Sequence, residues 1–394
     1  MKDKARAAVM TRPGKIEVQH FPMPDPEPGA VIIERELCGI CGTDKHTYSG
    51  FTVQYAGTDH ERSLQFPLIP GHEIVGRISA IGRTKDGLVD FSGKPLVEGS
   101  RVVLGANVNC GHCYYCRNGF DYYYCANLED YGNSLSAAKA PHLFGGFGDY
   151  VYALPGSYLF AVPDGLPSEL AVLTELMSVT TGLDKAKQFS AVHTEGFRFG
   201  DLVVVQGVGP LGLCHVIKAR MLGAGEIVAI DSSAYRLDLA MELGADHILN
   251  LTQTNKKQRC EAVLELSGAR GADVVVECAG VAAAIPEGLD LLRPGGTYVE
   301  SGNFSDMGDV TIKPHLICSK NLRIIGIGGE AITAYGPSME AMARYQRYYP
   351  IMKFVSHFFS VEEADEAIQF SMKEECMKVT IASSEYLENK RKLQ

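Results

Sequence analysis

A glycine-rich turn restricts the fold of this chain more than any other part of its sequence. It lies at residues 207–212, directly after a short apolar run at 202–206 that is typical of a buried strand. In G-x-G-x-x-G, the first glycine permits a tight turn, the second lets a pyrophosphate approach the backbone, and the third lets helix and strand pack closely. The following helix N-terminus offers unpaired N–H groups and the positive end of a dipole. The turn predicts a dinucleotide site whose contacts come from Gly207, Val208, Gly209, Pro210, Leu211 and Gly212.

The end of the next predicted strand supports this interpretation. Asp231 lies twenty-four residues after Gly207, where a carboxylate accepts the ribose hydroxyls of adenosine and repels a 2′-phosphate. NAD is therefore favoured over NADP, although Arg236, five residues further on and also placed in the cofactor site, would weaken that preference. The alternative role for Asp231 is that of a helix N-cap before Ser232 and Ser233.

The pattern around the turn predicts an α/β domain. From about residue 201 to 328, short Val/Ile-rich runs alternate with segments whose apolar residues recur every three or four positions, as in a parallel sheet that helices cover on both faces. The chain before this region reads as mostly β, and the tail contains two helical segments and a last short strand. For 394 residues we expect two domains. We place a β-rich domain at residues 1–177 and 338–394 and a doubly wound Rossmann domain at 178–337.

Four cysteines crowd into sixteen residues of the first domain. Cys110, Cys113, Cys116 and Cys125 are close enough in sequence to bind one tetrahedral ion, as in a closed structural zinc site. Such a site has no open coordination position, so its role would be to fold a lobe. The alternative is a chance cluster of buried thiols. The single cysteines outside the motifs are interpreted as small core residues, and the one at position 278 is also placed in the cofactor site: Cys38, Cys214, Cys260, Cys278, Cys318 and Cys376.

A second group of metal-binding residue types is scattered along the chain. Cys41 lies in C-G-I-C-G-T-D at 38–44, His72 and Glu73 lie in G-H-E, and Glu175 follows much later. Nothing in their spacing links them. Taken singly, His72 would be a core histidine with satisfied hydrogen bonds and Glu175 a helix-capping acid.

The order of five motifs links these residues. C-G-x-C-G-T-D, G-H-E, the four-cysteine cluster, G-G-F-x-x-Y at 145–150 and G-x-G-x-x-G follow one another as they do in the zinc-dependent medium-chain dehydrogenases. The chain resembles this superfamily over nearly its whole length, and it is most similar to the polyol and threonine dehydrogenase branch. The resemblance implies a GroES-like catalytic domain beside the Rossmann domain, and an assembly into homodimers or homotetramers.

The resemblance also implies a reaction and its metal ligands. The enzyme would transfer a hydride between NAD and the hydroxyl of a secondary alcohol or polyol. The class of substrates includes alcohols that also carry an acid group. One catalytic zinc ion would be bound by Cys41, His72 and Glu175, with Glu73 as a further ligand or as a neighbour of the ligands, and a second zinc ion would be structural. A zinc ion with an open position lowers the pKa of a bound hydroxyl.

A proton relay is implied by two further residues. Thr43, followed three positions later by His46, matches the family's path from a hydroxyl to an imidazole. The alternative for His46 is an ordinary surface histidine.

The sequence departs from the family pattern in three places. Eight residues separate Cys116 from Cys125 instead of the usual seven, so the lobe is expected to carry a bulge or to bind metal less tightly. The family's Glu-Pro pair is Glu175-Leu176 here, which weakens the assignment of Glu175. Cys41 and His72 are thirty-one positions apart, several more than is common.

The extra residues form an insertion at 54–65. It contains Tyr55, Asp59, His60, Glu61 and Arg62. Two roles are open, because polar insertions are cheap in free energy and loops near an active site commonly set specificity. The insertion is either a solvated surface loop or a loop that closes over the substrate. In the second case, Arg62 or His60 would donate to a polyol, a carboxylate or a phosphate.

Composition excludes several other classes. The net charge of −10 and the lack of a basic cluster oppose nucleic-acid binding. No apolar run approaches the ~20 residues that span a bilayer, and the N-terminus lacks a signal peptide, so we expect a cytoplasmic protein without membrane contacts. Two alternatives stay open: a zinc enzyme acting on simple alcohols and an NADPH-dependent reductase of the same superfamily. A catalytically inactive relative is opposed by the presence of Cys41, His72 and Thr43. A nucleic-acid-binding zinc ribbon is opposed by the charge and by the glycine-rich turn.

Overall fold

The computed structural model describes residues 3–58, 61–188, 195–306, 308–329, 331–373 and 375–393. The chain divides into two compact units. The β-rich unit comprises Met1–Glu175, Ala331–Gln346 and Met352–Gln394, and the α/β unit comprises Leu176–Glu330 and Arg347–Ile351.

The return to the β-rich unit begins at residue 331, earlier than the expected 338. Tyr335 explains the difference, because its buried ring stacks on Phe160 at 4.8 Å and its hydroxyl accepts a hydrogen bond of 3.2 Å from the Ala106 amide. Ile332 is also buried, and its amide donates to Asp121 at 3.2 Å. These contacts tie the segment to the β-rich unit.

The described residues form strands of two to nine residues. In chain order they are β1 (Lys4–Arg12), β2 (Lys15–Pro22), β3 (Val31–Gly39), β4 (Val53–Gln54), β5 (Arg62–Ser63), β6 (Glu73–Ile81), β7 (Leu88–Val89), β8 (Pro95–Leu96), β9 (Arg101–Leu104), β10 (Asn107–Val108), β11 (Glu129–Asp130), β12 (Tyr150–Ala153), β13 (Leu159–Ala161), β14 (Leu202–Gln206), β15 (Glu226–Asp231), β16 (His247–Asn250), β17 (Ala272–Glu277), β18 (Leu292–Glu300), β19 (Arg323–Gly326), β20 (Val355–Phe359) and β21 (Lys378–Ala382).

The helices are concentrated in the second half of the chain. They are α1 (Gly42–Tyr48), α2 (Tyr114–Arg117), α3 (Ser168–Ala171), α4 (Thr174–Ser178), α5 (Thr181–Gln188), α6 (Pro210–Met221), α7 (Ala234–Glu242), α8 (Lys256–Leu266), α9 (Ala284–Leu291), α10 (Pro314–Ser319), α11 (Tyr335–Tyr345), α12 (Ala364–Ser371) and α13 (Ser384–Leu393). Short 3₁₀ turns lie at Tyr122–Tyr124, Ile332–Ala334, Ile351–Phe354 and Val361–Glu363. Within the part of the chain that the structure describes, no helix has the length and apolarity to cross a bilayer.

The main sheet of the β-rich unit has the strand order β13-β9-β6-β3-β21-β20, and β12 also pairs with β3. β3 is central to this sheet, and it is mostly buried although charged residues occupy the middle of the strand. The C-terminal strand β21 pairs antiparallel with β3, with Ile381 opposite Cys38. The tail therefore lies next to the motif at 38–44, although more than 330 residues separate the two in sequence.

The α/β unit contains a parallel sheet with the order β16-β15-β14-β17-β18-β19. Numbered from β14, this is the order 3-2-1-4-5-6 of a doubly wound sheet, which confirms the expected fold class. The strands β14 and β17 are buried at every position, as helices on both faces require. The switch point of the topology lies between these two strands, and ligands of such sheets bind there, at the carboxyl ends of the strands.

Candidate active site and metal centres

Three side chains with metal-binding atoms converge where β3 ends and β6 begins. The ligand atoms of Cys41, His72 and Glu73 all lie within 4.8 Å of one another. Cys41 is the N-cap of α1, two residues after β3, and Glu73 is the first residue of β6. Because these antiparallel strands pair Gly39 with Glu73, the end of one strand lies beside the start of the other. The fold thereby brings together residues that their spacing in the sequence does not link.

Asp44 joins the loop that carries Cys41 to the loop that carries His72 and Glu73. Its buried carboxylate accepts hydrogen bonds from the amides of Cys41 at 2.8 Å and Gly71 at 3.0 Å. Burial raises the pKa of Asp44, while the nearby His72 and these backbone bonds oppose that effect. Asp44, the last residue of the C-G-I-C-G-T-D motif, thus links the two loops, a role that its place in the motif does not reveal.

His72 is not a satisfied core histidine. It is 6% exposed, and its Nδ1 atom has no hydrogen-bond partner among the described residues. Burial lowers its pKa, but the adjacent Cys41 thiolate, with Asp44 and Glu175, raises the pKa well above the usual range. A buried imidazole between a thiol and carboxylates, with an unsatisfied ring nitrogen, is the environment of a metal ligand. The donor set therefore fits a zinc ion.

Glu73 forms an ion pair with a lysine that no sequence motif indicates. Its Oε1 pairs with Nζ of Lys378, the first residue of β21, and that Nζ also donates to the carbonyl of Ile40 at 3.0 Å. Both side chains are buried. A Cβ atom at Gly39 would lie 1.9 Å from Glu73 Oε2, so only glycine leaves room for this pair. The only sequence signal for Lys378 is a charge at the start of an otherwise apolar strand.

Glu175 lies near the cluster but outside the group within 4.8 Å. It is buried in the first turn of α4, which agrees in position with the alternative of a helix-capping acid. Burial raises the pKa of Glu175 to about 7, His72 opposes this, and Glu73 and Asp44 add to it. Glu175 therefore interacts electrostatically with the cluster, whereas Glu73 is the carboxylate whose ligand atom lies within 4.8 Å of those of both Cys41 and His72.

The relay residues lie on α1, directly after Cys41. The Thr43 hydroxyl is buried and has no hydrogen-bond partner among the described residues. His46 is half-buried, and its ring meets Phe51 edge-on at 5.6 Å between centroids. Burial, with a contribution from Lys45, lowers the pKa of His46. His46 is thus neither a fully solvated surface residue nor directly bonded to Thr43.

We expect Lys378→Met to destabilise the protein by about 3–5 kcal/mol, because it leaves the buried Glu73 carboxylate without its counter-charge. Urea denaturation of the zinc-free protein measures this loss. The double variant Glu73→Gln/Lys378→Met removes both charges and is expected to recover a large part of the stability. A single variant as stable as the native chain would contradict the role of this ion pair.

The four cysteines of the lobe converge as the sequence predicts. Their Sγ atoms lie within 4.8 Å of one another, with Cys113 at 3.5 Å from Cys116 and 4.0 Å from Cys125. These separations are far longer than a disulfide bond and match the edge of about 3.8 Å expected of a tetrahedron with Zn–S bonds of about 2.3 Å. The extra residue between Cys116 and Cys125 does not prevent convergence.

Hydrogen bonds within the lobe favour thiolates. The backbone amide of His112 and the side chain of Asn127 lower the pKa of Cys110 to about 5. Burial raises the pKa of Cys125 to about 12, although its Sγ accepts bonds from the amides of Cys110 at 3.2 Å and Asn127 at 3.4 Å. Cys113 also has a lowered pKa, chiefly through a hydrogen bond from the Cys116 amide. The lobe thus offers preformed donors for a closed metal site.

Arg62 ties the insertion to the base of this lobe. Its guanidinium donates to Gln54 at 2.9 Å, to the carbonyl of Leu128 and to the buried carboxylate of Asp130, and it lies 5.3 Å from the Tyr55 ring centroid. Burial raises the pKa of Asp130 to about 6, and Arg62 opposes this. Arg62 is therefore engaged within the β-rich unit and not held ready as a donor to substrate.

The other polar residues of the insertion add little to that picture. The carboxylate of Glu61 accepts from the Gly57 amide at 2.8 Å, within the loop itself. Asp59 and His60 lie outside the described residues.

The glycine-rich turn of the α/β unit has the geometry that its motif requires. Gly207 has a φ of 81°, and a Cβ there would lie 2.6 Å from Ala279. A Cβ at Gly212 would lie 1.9 Å from the Gly207 carbonyl oxygen. Gly209 is open, since only Nη1 of Arg236, at 3.7 Å, would come within 4 Å of a Cβ there. The second glycine thus leaves the approach that a pyrophosphate needs.

Asp231 lies beside this turn. Its carboxylate accepts from the amides of Val208 at 2.8 Å and Ser233 at 2.9 Å. The N-cap of α7 is Ser233, so the alternative of Asp231 as the helix cap is wrong. Arg236 follows in the first turn of α7, close to Gly209.

The single cysteines differ from one another. Cys38, Cys214 and Cys376 are buried as expected, and Cys260 and Cys278 are partly buried. Cys318 is exposed, so its interpretation as a core residue is wrong, because it lies near the end of the short, superficial helix α10. Cys278 directly follows β17, and its Sγ lies 3.4 Å from Nδ1 of the buried His215 on α6.

These units define a class of protein. A doubly wound sheet with a glycine-rich turn, in a chain that also carries a thiolate lobe and a buried Cys–His–carboxylate cluster, is typical of a metal-dependent dehydrogenase that uses a dinucleotide. Residues 27–164 match the alcohol dehydrogenase GroES-like domain, and residues 210–344 match the zinc-binding dehydrogenase family.

Individual relatives agree with this class. The chain is 34% identical over 369 residues to 5-exo-hydroxycamphor dehydrogenase from Pseudomonas putida, which covers 93% of this chain and 95% of the relative. Sorbitol dehydrogenase from Bacillus subtilis is 29% identical over 378 residues, covering 95% and 96%. The crystal structure of an alcohol dehydrogenase from Thermotoga maritima superposes with a TM-score of 0.85 at 28% identity, covering 96% and 99%.

The chain belongs to the zinc-dependent alcohol dehydrogenases of the medium-chain superfamily. It is an oxidoreductase of hydroxyl groups that uses zinc and a nicotinamide cofactor, and the resemblance carried by the five motifs is confirmed.

Proposed function

We propose that this enzyme oxidises a secondary hydroxyl of an alcohol or polyol with NAD, at a zinc ion bound by Cys41, His72 and a carboxylate. The convergence of Cys41, His72 and Glu73 within 4.8 Å carries this proposal. Glu175 is the carboxylate that the family pattern assigns to the metal, with Glu73 as its neighbour or replacement. A zinc ion held there lowers the pKa of a bound hydroxyl and polarises a carbonyl.

Thr43 and His46 move the proton in this proposal. The Thr43 hydroxyl, which has no protein partner among the described residues, accepts the proton from the substrate hydroxyl and passes it towards His46. The lowered pKa of His46 keeps its imidazole neutral near neutral pH, so that it can accept that proton. The cysteine lobe binds the second, structural zinc ion through Cys110, Cys113, Cys116 and Cys125 and takes no part in the chemistry.

The cofactor lies on the glycine-rich turn, with its adenosine ribose towards Asp231. A carboxylate there accepts two hydroxyls and repels a 2′-phosphate, which supports NAD over NADP. The secondary hydroxyl is supported by one relative, since the 5-hydroxyl of hydroxycamphor is on a ring carbon and is therefore secondary, and a polyol is supported by the relative that is a sorbitol dehydrogenase. A homo-oligomer is supported by the edge strand β19, which among the described residues pairs with β18 alone and exposes Ile324.

Initial rates test this function, measured through the absorbance of the reduced nicotinamide. The assay compares NAD with NADP on matched primary, secondary and cyclic secondary alcohols and on polyols. We expect a secondary hydroxyl with NAD to give the highest kcat/KM. Preference of the native enzyme for NADP would contradict the role of Asp231. Reduction of an activated double bond by NADPH, without alcohol oxidation, would favour the reductase alternative.

The same assay with Asp231→Asn tests the carboxylate. Asp231 accepts from the amides of Val208 and Ser233 with its two different oxygens, whereas asparagine keeps one of these acceptors and loses the other together with the charge. We expect the ratio of kcat/KM for NAD to that for NADP to fall by roughly 10–100-fold, because a charge-assisted hydrogen bond contributes about 1.5–3 kcal/mol. Arg236 is then free of an opposing charge and can meet the 2′-phosphate.

A further inference from the structure

Two glutamates meet at the carboxyl edge of the α/β sheet. Glu277 ends β17 and Glu300 ends β18, and the parallel register places them side by side. Because neighbours in register project from the same face of a sheet, the two carboxyl groups are adjacent, close enough for a hydrogen bond between them. Glu277 is fully buried, and Glu300 is partly buried. Neither motif analysis nor the reaction assigns them a role.

One amide side chain clamps the pair. Nδ2 of Asn303 donates to Glu277 Oε2 at 3.1 Å and to Glu300 Oε1 at 3.0 Å, and the Asn303 backbone amide donates to the same Glu300 oxygen at 3.1 Å. Among the ion pairs of the described residues, none involves Glu277 or Glu300. Two adjacent ionised carboxylates without a cation repel each other strongly in a buried place. A shared proton removes this repulsion.

Glu277 also organises the turn that follows it. Its Oε1 accepts from the amides of Ala279 at 2.8 Å and Gly280 at 2.9 Å. Ala279 lies directly against Gly207, as the 2.6 Å approach of a Cβ there demonstrates. A Cβ at Gly302 would lie 2.3 Å from Glu277 Oε2 and 2.5 Å from the Gly280 amide nitrogen. The turns after β14, β17 and β18 are therefore packed together around the Glu277 carboxyl.

We propose that Glu277 and Glu300 share one proton and that this singly ionised pair positions the glycine-rich turn for the cofactor. The inference rests on the proposed binding of NAD at that turn. Both glutamates are positioning residues, since they act through Ala279, Gly280 and Asn303. Loss of the shared proton doubles the charge of the pair, drives the carboxylates apart, and weakens the binding of the anionic cofactor.

The titratable groups around the pair do not take up its shared proton near pH 7. Burial raises the pKa of Tyr298 on β18 far above its usual value, and it does the same for Cys278 after β17. Burial lowers the pKa of His215, on α6, to about 4. Glu287 on α9 is paired with Arg259, and Asp184 on α5 is paired with Lys218. Tyr298, Cys278 and His215 are thus neutral near pH 7, while burial and Glu300 raise the pKa of Glu277 to about 8.

The first experiment observes the proton without any cofactor. Infrared difference spectra of the zinc-loaded, cofactor-free enzyme are expected to contain the C=O band of a buried protonated carboxyl group at pH 7, lost on titration to pH about 9.5. Glu300→Gln removes the contribution of the pair to this band, because the glutamine amide donates to an ionised Glu277 in place of the shared proton, whereas the contribution of the buried Glu175 stays unchanged. Glu265→Gln, an exposed glutamate on α8, is the matched control and keeps the band. Absence of the band from the native enzyme would overturn the proposal.

The second experiment measures NADH binding by fluorescence between pH 7 and about 9.5. The Kd of the native enzyme and of Glu265→Gln is expected to rise by about 5–30-fold over this range, because binding requires the proton. Glu300→Gln keeps its Kd within about twofold, since its amide cannot ionise. Equal pH dependence in all three proteins would overturn the inference. If NADH binds to none of them at any pH, the proposed cofactor site fails, while the infrared result still reports the shared proton.

Discussion

Replacing Cys41 by serine is expected to lower turnover by roughly 10³-fold or more while leaving the free energy of unfolding nearly unchanged. A serine hydroxyl does not ionise as a thiolate does, so the catalytic metal loses a principal ligand. The stabilisation that a metal contributes to a charged transition state is several kcal/mol, and each 1.36 kcal/mol is tenfold in rate. The local fold survives because Cys41 is the N-cap of α1, a position that serine favours.

Turnover, zinc content and urea denaturation of purified Cys41→Ser together test this expectation. Zinc should fall by about one ion per chain. Cys318→Ser is the matched control, since Cys318 is exposed and far from any proposed metal ligand in sequence. It should keep both ions and full activity. A Cys41→Ser enzyme with native turnover would show that the reaction does not use the cluster of Cys41, His72 and Glu73.

Cys110→Ser is expected to have the opposite effect, with a loss of stability of at least about 2 kcal/mol and little change in turnover per folded molecule. A closed tetrathiolate site contributes folding free energy, of which zinc-finger peptides obtain about 10–16 kcal/mol from metal binding. Here the two ends of the lobe are also held together by the pairing of Asn107 with Asp130 in β10 and β11. The loss of metal binding therefore removes only part of the folding free energy of the lobe.

For Cys110→Ser, calorimetry measures the stability, and active-site titration gives the turnover per folded molecule. The melting transition should move to lower temperature and the zinc content should again fall by about one ion, while kcat referred to the folded fraction stays near the native value. Because Arg62 joins the insertion to Leu128 and Asp130 at the base of the lobe, opening of the lobe also releases that loop. Equal loss of stability in Cys41→Ser and Cys110→Ser would refute the division between a catalytic and a structural site.

The α/β unit illustrates how far local patterns reach. Short, mainly apolar runs at 202–205, 227–230, 273–276, 297–300 and 322–325 predict β14, β15, β17, β18 and β19, because a buried parallel strand must be apolar on both faces. The remaining strand of that sheet, β16, was not anticipated. Its sequence, His247–Asn250, is half polar and mostly only partly buried, since it lies at the edge of the sheet and has no periodicity that separates it from a turn.

The insertion at 54–65 shows that sequence does not identify the partners of charged loop residues. Arg62 and His60 were expected either to face solvent or to meet a substrate, because sequence supplies no partner for a charged loop residue. Asp130 is that partner for Arg62, sixty-eight residues later in the chain. The core assignment of Cys318 failed for a related reason: an apolar neighbourhood in sequence does not say which side of a short helix faces the solvent.

The sequence by itself determined the parts whose chemistry is local: the glycine-rich turn, the four cysteines within sixteen residues, and the order of motifs that relates the chain to its family. Steric demands on a turn and the reach of neighbouring thiols act over a few residues, so a pattern suffices to express them. Only the tertiary structure decided that Lys378 neutralises Glu73 and that Glu277 lies beside Glu300. Burial and strand register create those pairs, and the desolvation of a charge depends on everything that surrounds it, which no local stretch of sequence contains.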